Sequence, residues 1–183
     1  ASGRLYGPIE SILRDKMGPF VANTHTETNV SGSSMTLAYS HAKQLIKKHV
    51  NASSDDVIIT ANAGMTGVVN KFQRILGLKI HEKYRSLIDV QIEKPIVFVS
   101  HMEHHSNQTS WLETIAEVVV IPPDSKGLVD LDALRDLLKT YQERKVKIAA
   151  VTSCSNVTGV FTPYHEIAEI MHLNGGWCFV DFA

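Results

Sequence analysis

Three histidines and an acid crowd five positions, His101-Met102-Glu103-His104-His105, directly after the apolar run 95–100. Neutral imidazoles at this spacing can ligate a metal, or one flat ring can stack on an aromatic cofactor while the others are solvated or structural. A metal needs a further ligand, and the obvious candidates are Glu103 and the distant Asp181, so no metal is expected. A second set, Ala61-Asn62-Ala63-Gly64-Met65-Thr66-Gly67, follows the run 56–60. Glycine lets a backbone approach a ligand closely, and the free N–H groups of a first helical turn, with the Thr66 hydroxyl, can cradle a phosphate. The same residues also make an ordinary helix start. A third set is Ser153-Cys154-Ser155-Asn156-Val157-Thr158-Gly159, where Asn156 can donate to a phenolate or carbonyl oxygen or simply tolerate a left-handed turn. Nothing around Cys154 marks a thiolate, which makes it a small apolar core residue. Last comes Asp181, at the end of the apolar run 177–180. A carboxylate there needs a cation or strong donors, such as a protonated ring nitrogen, unless it caps a following helix.

Each set follows a short β-branched run, and helical periodicity fills the intervals, the pattern of βαβ units around a parallel sheet. Strands are expected over residues 56–60, 95–100, 118–121, 146–152 and 177–181, a sheet of about five strands. Helices are expected over 34–50, with Ser33 or Ser34 as cap and Leu37, Leu45 and Ile46 at helical spacing, and over 65–78. A vaguer one covers 79–94, with Ile80, Tyr84, Leu87 and Ile88 on one side. Asp130 is placed to cap a helix over 130–141 whose Leu131, Leu134, Leu137 and Leu138 face the core. Pro163 opens another that turns Ile167, Ile170 and Met171 inward and ends near Asn174-Gly175-Gly176. In an open parallel sheet, ligands bind at the carboxyl ends of the strands, so the four sets converge on one edge.

With 183 residues, 44% of them hydrophobic, one globular unit is the expectation. A formal net charge of -1 with 20% charged residues gives no field for nucleic acid and points to a small-molecule partner. Two cysteines form neither a disulfide framework nor a CxxC metal pair, which fits a reducing cytoplasm. No apolar run approaches the roughly 20 residues of a membrane span, and Ala1-Ser2-Gly3-Arg4 does not open a secretory signal.

Taken in order, Gly64-Met65-Thr66, Glu103-His104-His105-Ser106-Asn107, Ser155-Asn156-Val157-Thr158-Gly159 and Val180-Asp181-Phe182-Ala183 resemble the large domain of the class V aminotransferases. The second motif is most similar to the branch of cysteine desulfurases and selenocysteine lyases. Asn23-Thr24-His25-Thr26 and Ser31-Gly32-Ser33-Ser34 resemble the segment before that domain's first helix, with His25 either near substrate or structural. The resemblance implies an α/β fold: a three-layer α/β/α arrangement on a mainly parallel sheet, the aspartate-aminotransferase-like architecture of fold type I pyridoxal-phosphate enzymes. It implies that residues 1–183 are part of the large domain, with the leader, the Schiff-base lysine segment and the small C-terminal domain outside them. None of Lys126, Lys139, Lys145 or Lys147 occupies the place of that lysine.

The cofactor implied is pyridoxal 5'-phosphate, which has a phosphate, a flat ring, a ring oxygen and a ring nitrogen to satisfy. By resemblance the Met65 and Thr66 amides and the Thr66 hydroxyl hold the phosphate, His104 stacks on the ring, and Asn156 bonds its oxygen. Asp181 pairs with the ring nitrogen, and Ala183 lines the other face; His104 and Asp181 are thus the catalytic pair. Met65 stands where many relatives have Thr or Ala, and Gly67 where an acidic residue is common, changes that spare backbone contacts. An amino-acid substrate and a homodimer of the complete protein follow. The alternatives are a class V epimerase or transaminase with another substrate, a non-catalytic α/β module, and metal-dependent hydrolysis through His101, His104 and Asp181.

Overall fold

In the computed structural model, which describes residues 3–88 and 93–182, four apolar runs pair side by side, all parallel. They are β1 (Ile96–Ser100), β2 (Glu117–Ile121), β3 (Lys147–Thr152) and β4 (Trp177–Asp181), in the order β2-β1-β3-β4. The register sets Ser100 beside Ile121 and Thr152 beside Asp181, so the carboxyl ends of the strands form one edge.

Strand side chains alternate in direction, and both faces are covered. Ile96, Phe98, Ala149 and Val151 face one core, filled by Leu134 and Leu138 of α6 (Leu131–Thr140) and by Ile167, Ile170 and Met171 of α7 (Tyr164–Leu173). Val97, Val99, Ile148 and Ala150 face the other, against Phe72 of α3 (Gly64–Ile75) and Trp111 of α5 (His105–Leu112). This is the expected three-layer α/β/α arrangement. Burying a side chain the size of Phe98 or Leu134 contributes about 1.5–3 kcal/mol, so the two cores carry most of the unit's stability. Asp130 caps α6 as expected, its Oδ1 accepting from Asp132 N (2.9 Å) and Ala133 N (3.0 Å). α7 ends where Gly175 turns left-handed (φ +67), and a Cβ on Gly176 would stand 3.1 Å from the Lys147 carbonyl.

The chain divides into two units, one up to Ile59 and one from Thr60 onward. The first contains α1 (Gly7–Ser11), a π-helical stretch (Ile12–Met17), a 3₁₀ turn (Gly18–Phe20) and α2 (Val30–His49). Asn29, not Ser33 or Ser34, caps α2: its Oδ1 accepts from Gly32 N at 2.7 Å, so the helix begins four residues earlier than its apolar spacing suggests. Leu37, Leu45 and Ile46 are exposed.

Residues 56–60 do not form the expected strand, and the described sheet has four strands rather than five. Their composition suits a strand, but a ladder needs a partner, and Val57 stays 79% exposed. The helix expected over 79–94 is α4 (Glu82–Ile88), with Tyr84 and Leu87 exposed. Residues 89–92 and the side chain of Ile88 lie outside the described residues, as does Ala183.

Candidate functional site

The edge formed by the strand ends is organised around Glu103, in the turn between β1 and α5. Its Oε1 accepts from the Ser100 hydroxyl, from Ser100 N (3.3 Å) and from Thr152 N at the end of β3 (2.9 Å). Its Oε2 accepts from Asn107 Nδ2 at 2.7 Å. Burial raises the Glu103 carboxyl above its ordinary range, and these hydrogen bonds oppose the shift by favouring the charged form. The next residue, His104, caps α5 through Nδ1, which accepts from Ser106 N (3.2 Å) and lies 2.7 Å from Ser106 Oγ; its ring is exposed. His101 spends its Nε2 on the Gly127 carbonyl at 3.0 Å. Among the described residues, no three His, Cys, Asp or Glu side chains gather to hold a metal.

Asn107 passes the order on. Its Nδ2 also reaches the Ala150 carbonyl (3.3 Å), and its Oδ1 accepts from Trp111 Nε1 (3.0 Å), one helical turn along. The buried Ser110 hydroxyl donates to the Asn107 carbonyl (2.9 Å) and accepts from Gln73 Nε2 of α3 (2.9 Å), tying the two helices together.

These elements enclose a cavity of about 360 Å³ lined in part by Met65, Phe72, Asn107, Trp111, Phe179 and Asp181. Phe72 and Phe179 meet edge to face with centroids 4.4 Å apart, giving it an aromatic wall. Asp181 is 5% exposed, and its carbonyl accepts from Ser153 N (2.8 Å), which locks the end of β4 to β3. Cys178 lines the same cavity with its thiol pushed up to about 11 by burial, so it is no thiolate at neutral pH.

α3 starts beside this cavity, since Met65 both lines it and lies in the first helical turn. Ala63 at the cap position offers no side-chain acceptor, and Gly64 adopts φ +57 with open space where a Cβ would be. An uncapped helix start of this kind suits an anion.

Two of the six expected site residues, Met65 and Asp181, thus share one cavity. Thr66 follows Met65 in the first turn of α3 and is exposed. His104 stands at the start of the helix whose Asn107 lines the cavity. Asn156 is exposed on a turn that closes on itself, Ser155 Oγ accepting from Val157 N and Thr158 N (both 3.3 Å), and it does not line the cavity. The motif contains Glu103 and Asn107 but does not show their roles, and Trp111, one helical turn after Asn107 on α5, lies outside it.

A cavity of this size lies at the small end of ligand sites. Its donor set, an uncapped helix start at one place and a buried carboxylate at another, fits a flat ligand carrying a phosphate and a protonatable ring nitrogen. Pyridoxal phosphate is such a ligand.

The family model described as Aminotransferase class-V matches residues 13–183. A probable cysteine desulfurase of Halalkalibacterium halodurans is 31% identical over 175 residues, which is 93% of this chain and 39% of that protein. A cysteine desulfurase of Thermococcus onnurineus shares the fold with a TM-score of 0.69 at 19% identity, over 97% of this chain and 41% of its own. The Escherichia coli cysteine desulfurase CsdA matches at a TM-score of 0.62 and 26% identity, over 87% and 37%. The chain therefore spans about two-fifths of the length of these relatives.

Proposed function

Because this chain belongs to the aminotransferase class-V family, we propose that it carries the cofactor-holding part of a pyridoxal-phosphate enzyme that acts on an amino acid, as a cysteine desulfurase does. The observation that carries this reading is the cavity in which the buried Asp181 carboxylate and the uncapped start of α3 occur together.

Pyridoxal phosphate, when bound, supplies a sink for the electrons released at a substrate's α-carbon. The chain's own residues hold and tune it. The first-turn amides of α3 at Met65 and Thr66, with the Thr66 hydroxyl, take the phosphate. Asp181 holds a proton on the ring nitrogen, an ion pair that a largely buried carboxylate makes strong. His104, at the start of the helix whose Asn107 lines the cavity, covers one ring face. The apolar wall of Phe72, Trp111 and Phe179 excludes water and so strengthens the Asp181 pairing.

None of the cavity-lining residues is a lysine. We propose that the lysine that bonds the cofactor covalently, the small domain and a nucleophilic cysteine lie outside these residues, which span 39% of the Halalkalibacterium halodurans relative. The names of the relatives favour desulfuration over transamination or epimerisation. The complete protein is proposed to be a cytoplasmic homodimer; among the described residues no helix is long and apolar enough to cross a membrane.

The test is to incubate the complete protein with pyridoxal phosphate, L-cysteine and a thiol reductant. The reading predicts equal amounts of alanine and sulfide. Transfer of the amino group to a 2-oxo acid without sulfide would overturn the desulfurase assignment. Asp181→Asn should keep much of the cofactor binding yet lose most of the rate, and full activity in that variant would remove Asp181 from its role.

A further inference from the structure

Every polar group around the Glu103 carboxyl is a donor: Ser100 Oγ and N, Thr152 N and Asn107 Nδ2. The ionised carboxylate, an acceptor-only group, satisfies all four at once. The Asn107 amide cannot turn round to relieve this demand, because its Oδ1 is claimed by Trp111 Nε1 and its Nδ2 also donates to the Ala150 carbonyl.

The four donors come from three elements, β1, β3 and α5, and all four end on this one carboxyl group. Thr152 is the register partner of Asp181, Asn107 and Trp111 form part of the cavity wall, and the turn holding Glu103 carries His104 as its next residue. We infer that Glu103 is a positioning residue, one whose carboxylate sets the His104 turn and the Asn107–Trp111 wall in register with the strand end that bears Asp181. The inference rests on the cofactor reading above. It deepens that reading by naming what holds the two halves of the site together.

Burial makes the charge unfavourable here, as the raised Glu103 shows. A tie serving only stability would do as well with a neutral group. Glutamine is therefore the informative replacement. Its oxygen can take the place of Oε1 toward Ser100 and Thr152, but its amide group would face Asn107 Nδ2, donor against donor. One hydrogen bond is lost, and the penalty of burying the charge disappears with it.

The experiment compares the 183-residue chain with Glu103→Gln and with the double variant Glu103→Gln/Asn107→Asp. In the double variant the introduced amide donates to the introduced carboxylate and Trp111 keeps its acceptor, while the Ala150 carbonyl loses the donor it has at 3.3 Å. Three quantities are read: thermal midpoint, amide exchange at Ser106 and at position 107, and pyridoxal-phosphate affinity. Glu103→Gln is expected to keep its midpoint, to exchange faster at both amides, and to bind the cofactor about tenfold more weakly, the scale of one charge-assisted hydrogen bond lost. The double variant recovers part of the affinity, since the bond to the Ala150 carbonyl is not restored. Unchanged exchange and affinity in Glu103→Gln would overturn the inference, as would weaker binding that the double variant fails to restore. Should Glu103→Gln not fold, the double variant decides between the same two outcomes against the parent chain. If the complete protein does not bind pyridoxal phosphate, the cofactor reading falls, and amide exchange still decides whether Glu103 sets the turn.

Discussion

Two turns leave the same edge of the sheet, after β1 and after β3, and they are held in opposite ways. The first is fixed from outside: Glu103 reaches Thr152 N, 49 positions along the chain, and Asn107 reaches the Ala150 carbonyl, 43 positions along. The second is tied to β4 only at its first residue, Ser153, and beyond that is closed by its own residues, Ser155 Oγ accepting from Val157 N and Thr158 N, Ser155 N donating to the Val160 carbonyl (2.9 Å), and Gly159 N to the Ser155 carbonyl (3.0 Å). The difference teaches where pre-organisation lies. A turn gripped by a neighbouring strand inherits the rigidity of the sheet, whereas a self-contained turn keeps its local shape and leaves Asn156 in solvent.

If that contrast is real, it should break unevenly. Glu103→Ala strips the acceptor from four donors and should lower stability by about 3 kcal/mol in urea unfolding; a loss below about 0.5 kcal/mol would erase the distinction between the turns. Trp111→Phe keeps most of the buried volume and removes the donor to Asn107 Oδ1. A loss of about 1 kcal/mol is expected by the same measurement.

The pH dependence sharpens the comparison further. The folded-state carboxyl of Glu103 titrates above its unfolded value, so its contribution to stability is fully present below about pH 4.3 and is lost as pH rises through the raised value. Denaturant titrations at successive pH values should show that decline in the parent chain and a flatter profile in Glu103→Gln. Identical profiles would mean that Glu103 does not titrate as described. Asn156→Ala, on the self-contained turn, should change stability by less than about 0.5 kcal/mol, as exposed positions do. A larger change would show that this turn is also held from outside.

The same contrast explains what could be read without coordinates. β1 and β3 are legible because their apolar runs are buried on both faces, β4 because its shorter apolar run packs partly against both cores, and α6 because Asp130 precedes a leucine stripe at helical spacing. Residues 56–60 have the same kind of composition and form no strand, because composition does not supply a pairing partner. The start of α2 is hidden by a stronger cap upstream: Asn29 reaches Gly32 N and takes the position the serines suggest. In the site, Asp181 is legible as a carboxylate closing an apolar strand. Glu103 is legible as an acid in a motif, but its work depends on Thr152, and no local pattern links two residues that far apart. Asn156 shows the converse, since its motif places it on the right edge while the local hydrogen bonds leave it facing solvent.

The central claim is that the cavity beside Trp111 and Asp181 holds pyridoxal phosphate. Trp111 and Trp177 are the two tryptophans of the chain, so a Trp177→Phe background isolates the one that lines the cavity. Titrating that protein with pyridoxal phosphate should quench Trp111 fluorescence saturably, and Asp181→Ala should move saturation to higher cofactor concentration. Quenching that never saturates, or that survives unchanged in Asp181→Ala, would contradict the account.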